Sequence, residues 1–255
     1  MIRPKAEDDW RAEIPLIAHL RELRTRLLKT IYAVLGIFLC LIWFANPIYS
    51  FLSEPLRRHL PDGATMIATD VASPFLTPFK MVLVLSVFLA MPVFLHQAWC
   101  FISRGLYNRE QGFAVPLLIT SVLLFYLGVV FAYFVVFPLV FAFFTGVGPD
   151  DVTVMTDISQ YLGFIIKLFF AFGIAFEIPI VTLLLVWSGF TTTEMLRKRR
   201  AYVVLVCFIV GMLLTPPDVI SQTLLALPMW ALFETGIFFA AMMDRKPNVQ
   251  QPMSS

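Results

Sequence analysis

The run SQYLGFIIKLFFAFGIAFEIPIVTLLLVW, from Ser159 to Trp187, decides the fold class. Its charges are Lys167 near one end and Glu177 well inside. A helix needs about 20 apolar residues to cross a bilayer, so this run is long enough to span at a tilt. The rest of the 255-residue chain has the same character, with 59% apolar residues, 14% charged residues and a mean hydropathy of +0.83. Soluble domains average roughly 45–50% apolar and about 25% charged. The chain therefore reads as a polytopic all-α membrane protein with one membrane domain over residues 1–243.

Beyond Trp187, Thr191-Thr-Thr-Glu194 has the pattern of a helix N-cap, and the basic cluster Arg197-Lys-Arg-Arg200 follows. The next apolar segment, 202–214, has 13 residues. That is about 20 Å of helix against a hydrocarbon core of about 30 Å. Thr215-Pro-Pro-Asp218 turns the chain, with Asp218 placed to cap the last span, 220–243, which contains Pro228 and Glu234. This hairpin reads as shallow, and residues 244–255 as a polar, disordered tail.

Toward the N-terminus, spans are expected at 113–137, 79–99 and 27–44. Pro138 marks a bend at the end of one, Pro92 lies inside another, and Asn46-Pro47 signals a turn after the first. Residues 45–78 carry a helix-like apolar period, punctuated by Pro55, Pro61, Pro74 and Pro78, and read as an ordered cap of short helices. Ile14 to Leu20 forms a short amphipathic stretch suited to the membrane surface. No signal-peptide pattern opens the chain.

Six spans put both termini on one side. That side holds fifteen of the nineteen lysines and arginines, leaving Arg57, Arg58, Lys80 and Lys167 elsewhere. The positive-inside rule makes the termini cytoplasmic.

Enzyme chemistry finds no support. The chain has no Gly-rich phosphate loop ending in Lys-Ser/Thr and no local nucleophile signature. His19, His59 and His96 are too scattered for a metal site, and Cys40, Cys100 and Cys207 read as small hydrophobes in or beside apolar runs. No cofactor and no nucleic-acid partner are expected.

The informative residues are acids in unusual places. Glu177 lies near mid-membrane, where a charge costs about 2.5–3.5 kcal/mol on the mildest scale. It must face protein or water, or be protonated. Glu22 stands among Arg21, Arg24, Arg26 and Lys29 at the cytoplasmic entry of the first span. A bland account pairs it with Arg26 one helical turn on. Asp218 and Gln222, one turn apart below Thr215, suit either an interfacial N-cap or docking of a polar partner helix.

Several stretches together resemble the TatC family, the polytopic receptor subunits of the twin-arginine protein translocase. They are His19-Leu-Arg-Glu-Leu-Arg-Thr-Arg-Leu, Pro55-Leu56, Asp70-Val-Ala-Ser-Pro-Phe75, Phe101-Ile-Ser-Arg-Gly-Leu-Tyr-Asn-Arg-Glu110, Phe134-Val-Val-Phe-Pro138, Phe176-Glu-Ile-Pro179 and Met212-Leu-Leu-Thr-Pro-Pro-Asp218. The resemblance implies six transmembrane helices in the bacterial inner membrane and a cupped shape under a periplasmic cap that includes Pro55 and Asp70. It also implies binding of twin-arginine signal peptides on folded cargo, self-association, single-span TatB-like and TatA-like partners, and export driven by the proton-motive force. Glu22, Glu110, Arg24 and Phe101 fall where the signal peptide is recognised, Glu177 at the polar intramembrane site, and Met212, Thr215, Asp218 and Gln222 where partner helices dock. This chain departs from the family at Arg104, where proline is common, and at Arg21, which adds a cation before Glu22. The alternative, a proton-coupled transporter of small solutes using Glu177, predicts repeated halves, and the short segment 202–214 has no counterpart in the first half. A purely structural scaffold would not need acids at both the rim and mid-membrane.

Overall fold

The computed structural model describes residues 9–51, 67–102, 114–146, 157–215 and 218–244, with side chains for all but the residues before 21 and a few at segment ends. Among these residues every regular element is helical, and one isolated parallel bridge joins Ile67 to Asp157. The chain divides into two compact units, Met1–Pro55 with Asp70–Leu118 and Leu56–Thr69 with Ile119–Ser255.

In the first unit α1 (Asp9–Leu41) packs on α2 (Ser73–Leu89) and α3 (Met91–Ile102). The amphipathic stretch is thus the opening of one continuous helix rather than a separate element. The turn expected at Asn46-Pro47 is also absent. A single 3-10 turn, Ile42–Phe44, tightens the backbone, and helical conformation then continues to Phe51. Pro47 falls in the first turn of the resumed helix, where its missing N–H is not needed. Among the described residues none of the apolar stretch of this first span is buried, and Tyr32, Leu39 and, in the 3-10 turn, Trp43 lie exposed. An exposed apolar face of that length suits hydrocarbon.

The second span begins earlier than expected, at Ser73. Asp70 accepts the Ala72 N–H at 3.3 Å through Oδ1, and its carbonyl accepts the Ser73 N–H at 3.1 Å, which opens the helix. Pro92 cannot donate to the preceding turn, and α2 and α3 meet at a bend of 42° around Ala90.

Helix α4 (Ala114–Phe131) belongs to the second unit from Ile119 on, and passes through a π turn, Ala132–Val136, into α5 (Phe137–Gly146). The bend expected at Pro138 is absorbed in this way, because a wider turn accommodates the ring and the lost N–H. Helices α6 (Ile158–Ala175) and α7 (Ile178–Trp187) break at Phe176-Glu177, immediately before Pro179. The short α8 (Thr193–Lys198) is capped by the Thr192 hydroxyl, which accepts the Met195 N–H. The hairpin is completed by α9 (Arg200–Leu214) and α10 (Val219–Asp244). With 15 residues, α9 is about 22 Å long and stays shorter than the hydrocarbon core. The core of this unit is aromatic and aliphatic, with Phe125, Phe137, Leu168, Phe172, Leu225 and Ile237 nearly sealed.

Candidate functional site

Of the acids singled out by sequence, Glu22 and Glu177 lie in different units. On α1, Glu22 Oε1 accepts two hydrogen bonds from one guanidinium, at 2.8 Å from Arg26 Nε and 2.6 Å from Nη2. Glu four residues before its cation is the favourable order on a helix. The same guanidinium reaches α3, where Nη1 donates to the carbonyl and to Oε1 of Gln97, both at 3.3 Å, and Nη2 donates to the Cys100 carbonyl at 3.2 Å. The last four carbonyls of a helix have no intrahelical donor, and a cation at that end opposes the helix dipole favourably. Arg26 therefore ties the acid of α1 to the end of α3. Both side chains are partly shielded, at 13% exposure for Arg26 and 23% for Glu22.

A groove of about 210 Å³ runs beside the Arg26 stem, lined by Leu23, Leu27, Phe94 and Ala98 among others. Arg24 and Arg21 are exposed on α1. Phe101 lies in the last turn of α3, its side chain outside the described set, and Glu110 and Pro55 fall outside the described residues.

Glu177 sits where α6 gives way to α7, its carbonyl still accepting the Val181 N–H at 2.9 Å. Ser121 of α4, itself buried, donates its hydroxyl to Glu177 Oε2. Ser121, Phe125 and Gly128 share one face of α4 at helical spacing. That face comes close because Gly128 has no side chain. A Cβ there would lie 2.6 Å from the Phe172 carbonyl oxygen and 2.9 Å from the Phe176 ring. Gly236 does the same for α10, where a Cβ would lie 2.9 Å from Pro179 Cα. Glu177 Oε1 is buried and has no hydrogen-bond partner among the described residues. This carboxyl is half satisfied, and by a neutral donor.

Thr215, at the α9–α10 turn, is buried and donates to the Gly211 carbonyl at 3.0 Å, which commits its hydroxyl within its own helix. Asp218 Oδ2 accepts the Ser221 N–H at 2.7 Å, the expected cap, while Asp218 Oδ1 and Ser221 Oγ are buried without partners among the described residues. Met212 is half exposed, and Leu213, Val219 and Ile220 are exposed beside it. The Gln222 backbone is what Gly211 packs against.

Sequence reasoning missed four participants. Ser121 stands beside Thr120 in an apolar span, and nothing in the sequence marks which hydroxyl meets Glu177. Gln97 and the Cys100 carbonyl carry no sequence signal at all. Asp157 precedes an apolar periodic run, a recognisable N-cap signal. Its Oδ1 accepts the N–H groups of Ser159 and Gln160 at 2.8 and 3.0 Å, and its Oδ2 accepts the Thr69 hydroxyl and N–H at 2.6 and 2.9 Å. The Thr69 hydroxyl first, then these backbone donors, hold the carboxyl at about 2, against an ordinary value near 3.8.

Fold and sites together define an all-α integral membrane protein whose distinctive groups are acids held between helices. The chain matches the family model for "Sec-independent protein translocase protein (TatC)" over residues 18–228. It is 60% identical over 239 residues to the Sec-independent protein translocase protein TatC of Azotobacter chroococcum mcd 1, covering 94% of this chain and 92% of that one. To its counterpart in Escherichia coli (strain K12) it is 58% identical over 226 residues, covering 89% and 88%. It is also similar to the solved "Crystal Structure of Twin Arginine Translocase Receptor- TatC", with a TM-score of 0.80 and 38% identity over 89% of this chain and 100% of that chain. The chain belongs to the TatC family, and is a multi-pass component of the Sec-independent protein translocase in the bacterial inner membrane.

Proposed function

We propose that this chain is the translocase's receptor for twin-arginine signal peptides, with Glu22 and Glu110 as the carboxylates that take the arginine pair. The observation that carries the reading is that Glu22 already holds a guanidinium, with two donors of Arg26 on one oxygen. An arginine fork suits a carboxylate in a way that a lysine point charge does not. Neighbouring side chains of an extended peptide point opposite ways, so two separated acids serve an arginine pair better than one. Arg24 and Phe101 belong to the same surface in this reading.

The membrane domain comprises six spans with both termini cytoplasmic, and the cap containing Pro55 and Asp70 is periplasmic. Single-span TatB-like and TatA-like subunits dock at the α9–α10 turn through Met212, Asp218 and Gln222, with Thr215 shaping the turn from inside. Glu177 offers Oε1, which has no hydrogen-bond partner among the described residues, to a polar group of such a helix or of the cargo peptide. Copies of the chain associate with one another, and the proton-motive force drives export of folded cargo.

Site-specific photocrosslinking tests the assignment. Glu22→Ala and Glu110→Ala should each reduce labelling by a twin-arginine peptide more than by its twin-lysine version. Undiminished, arginine-dependent labelling in both variants would sink the assigned roles.

A further inference from the structure

We infer that Arg26 is a resident guanidinium that latches Glu22 when no ligand is present, so that a signal peptide binds this acid by exchanging one arginine for another. The inference rests on the reading of Glu22 as a peptide-binding acid and concerns what that acid does beforehand.

The latch follows from how Arg26 spends its donors. Nε and part of Nη2 go to Glu22, while Nη1 and the rest of Nη2 go to Gln97 and the Cys100 carbonyl. The contacts to α3 do not depend on Glu22. When a ligand guanidinium takes the carboxylate, Arg26 keeps its seat on α3, and the carbonyls there stay satisfied. Glu22 exchanges one cation for a like one, and Arg26 keeps the neutral oxygens of Gln97 and Cys100 around its charge. The pair sits near the surface, so the exchange needs neither helix to unfold.

The consequence for recognition is quantitative. A latch that must open before any ligand binds subtracts the same free energy from every ligand. It leaves the ratio of affinities for twin-arginine and twin-lysine peptides unchanged and raises the threshold that both must pass. Arginine preference arises in the complex, from fork geometry. The latch then pushes the weaker ligands out of the useful range. Arg26 is thus a threshold-setting, positioning residue rather than a peptide contact.

The test measures binding of fluorescent twin-arginine and twin-lysine peptides to the full-length protein in nanodiscs. Arg26→Lys keeps the charge but lacks the planar fork that spans Glu22 and α3, so both peptides should bind more tightly by a common factor of about two to five. Arg26→Gln removes the latch and should give a larger common gain, about three- to tenfold. Should Arg26→Gln not yield folded protein, Arg26→Lys decides alone. Unchanged or weaker binding in Arg26→Lys overturns the latch. So does a gain confined to one peptide. Glu22→Gln separates the two levels of inference. If it leaves peptide binding at the parent value, the reading of Glu22 itself has failed. If it weakens binding while the Arg26 variants give no gain, only the latch has failed. In Glu22→Gln the gain from Arg26→Lys should vanish.

Discussion

Glu22 and Glu177 are the same side chain in two environments, and the helices around them have solved the problem differently. Glu22 is met by a full positive charge, close to the surface, with two donors on one oxygen. Glu177 is met by one serine hydroxyl, deep in a span, and its other oxygen has no partner among the described residues. A charge-paired acid at the rim can trade its partner for another cation at little net cost. A half-satisfied acid in an apolar surround is costly to keep, and it gains from any polar group brought alongside. The first arrangement suits reversible recognition, and the second suits assembly or passage within the membrane.

The comparison breaks most readily at the packing beneath Glu177. Gly128→Val would drive a side chain into the Phe172 carbonyl and the Phe176 ring. The expected cost is about 3 kcal/mol or more, since backbone cannot yield as a side chain does. Thermal unfolding in detergent should show a clear fall in midpoint, and a variant as stable as the parent would refute this close approach.

Ser121→Ala comes next. Removing the hydroxyl leaves both oxygens of Glu177 without that donor, at a cost of about 1–3 kcal/mol. Ser121→Ala combined with Glu177→Leu should recover much of that loss, because an apolar pair of similar shape needs no donor. Failure to recover would mean that Ser121 acts through packing alone. Glu177→Gln sharpens the contrast further. It removes the burden of a charge, so stability should hold or rise while co-purification of partner subunits falls. If co-purification is intact and export normal, Glu177 has only a structural part.

The smallest effect belongs to Asp157. Its folded carboxyl is held at about 2, below the ordinary value near 3.8. The stabilisation is therefore complete above about pH 4 and is lost as pH falls through about 2. Asp157→Asn should remove that acid-dependent part of the melting curve and leave the curve near pH 7 little changed in slope. An unaltered acid slope would show that other groups carry it.

The order and character of the helices were legible in the chain because runs of apolar residues with few charges leave a bilayer as the only fitting solvent. The Asp218 cap and the capping run Thr191-Thr-Thr-Glu194 were legible because short oxygen-bearing side chains ahead of a helical run favour that position. Pro47 and Pro138 misled. Proline forbids one donor, and the sequence does not say whether the backbone answers with a turn, a 3-10 turn or a π turn. At the sites, Glu22, Glu177 and Asp218 stood out as charges out of place. Their partners did not, because Ser121, Gln97 and the Cys100 carbonyl become distinctive only when separate helices are brought together. The Glu22–Arg26 pair was visible at helical spacing, but its anchorage on α3 was not.

The central claim is that the Glu22 carboxylate receives a guanidinium of the signal peptide. Its most direct measurement is the affinity of the full-length protein in nanodiscs for twin-arginine and twin-lysine peptides, compared between parent and Glu22→Ala. The account predicts that Glu22→Ala weakens the twin-arginine peptide about tenfold or more and the twin-lysine peptide less, in keeping with about 1.5–3 kcal/mol for hydrogen bonds to charged groups. An unchanged twin-arginine affinity, or an equal loss for both peptides, would contradict it.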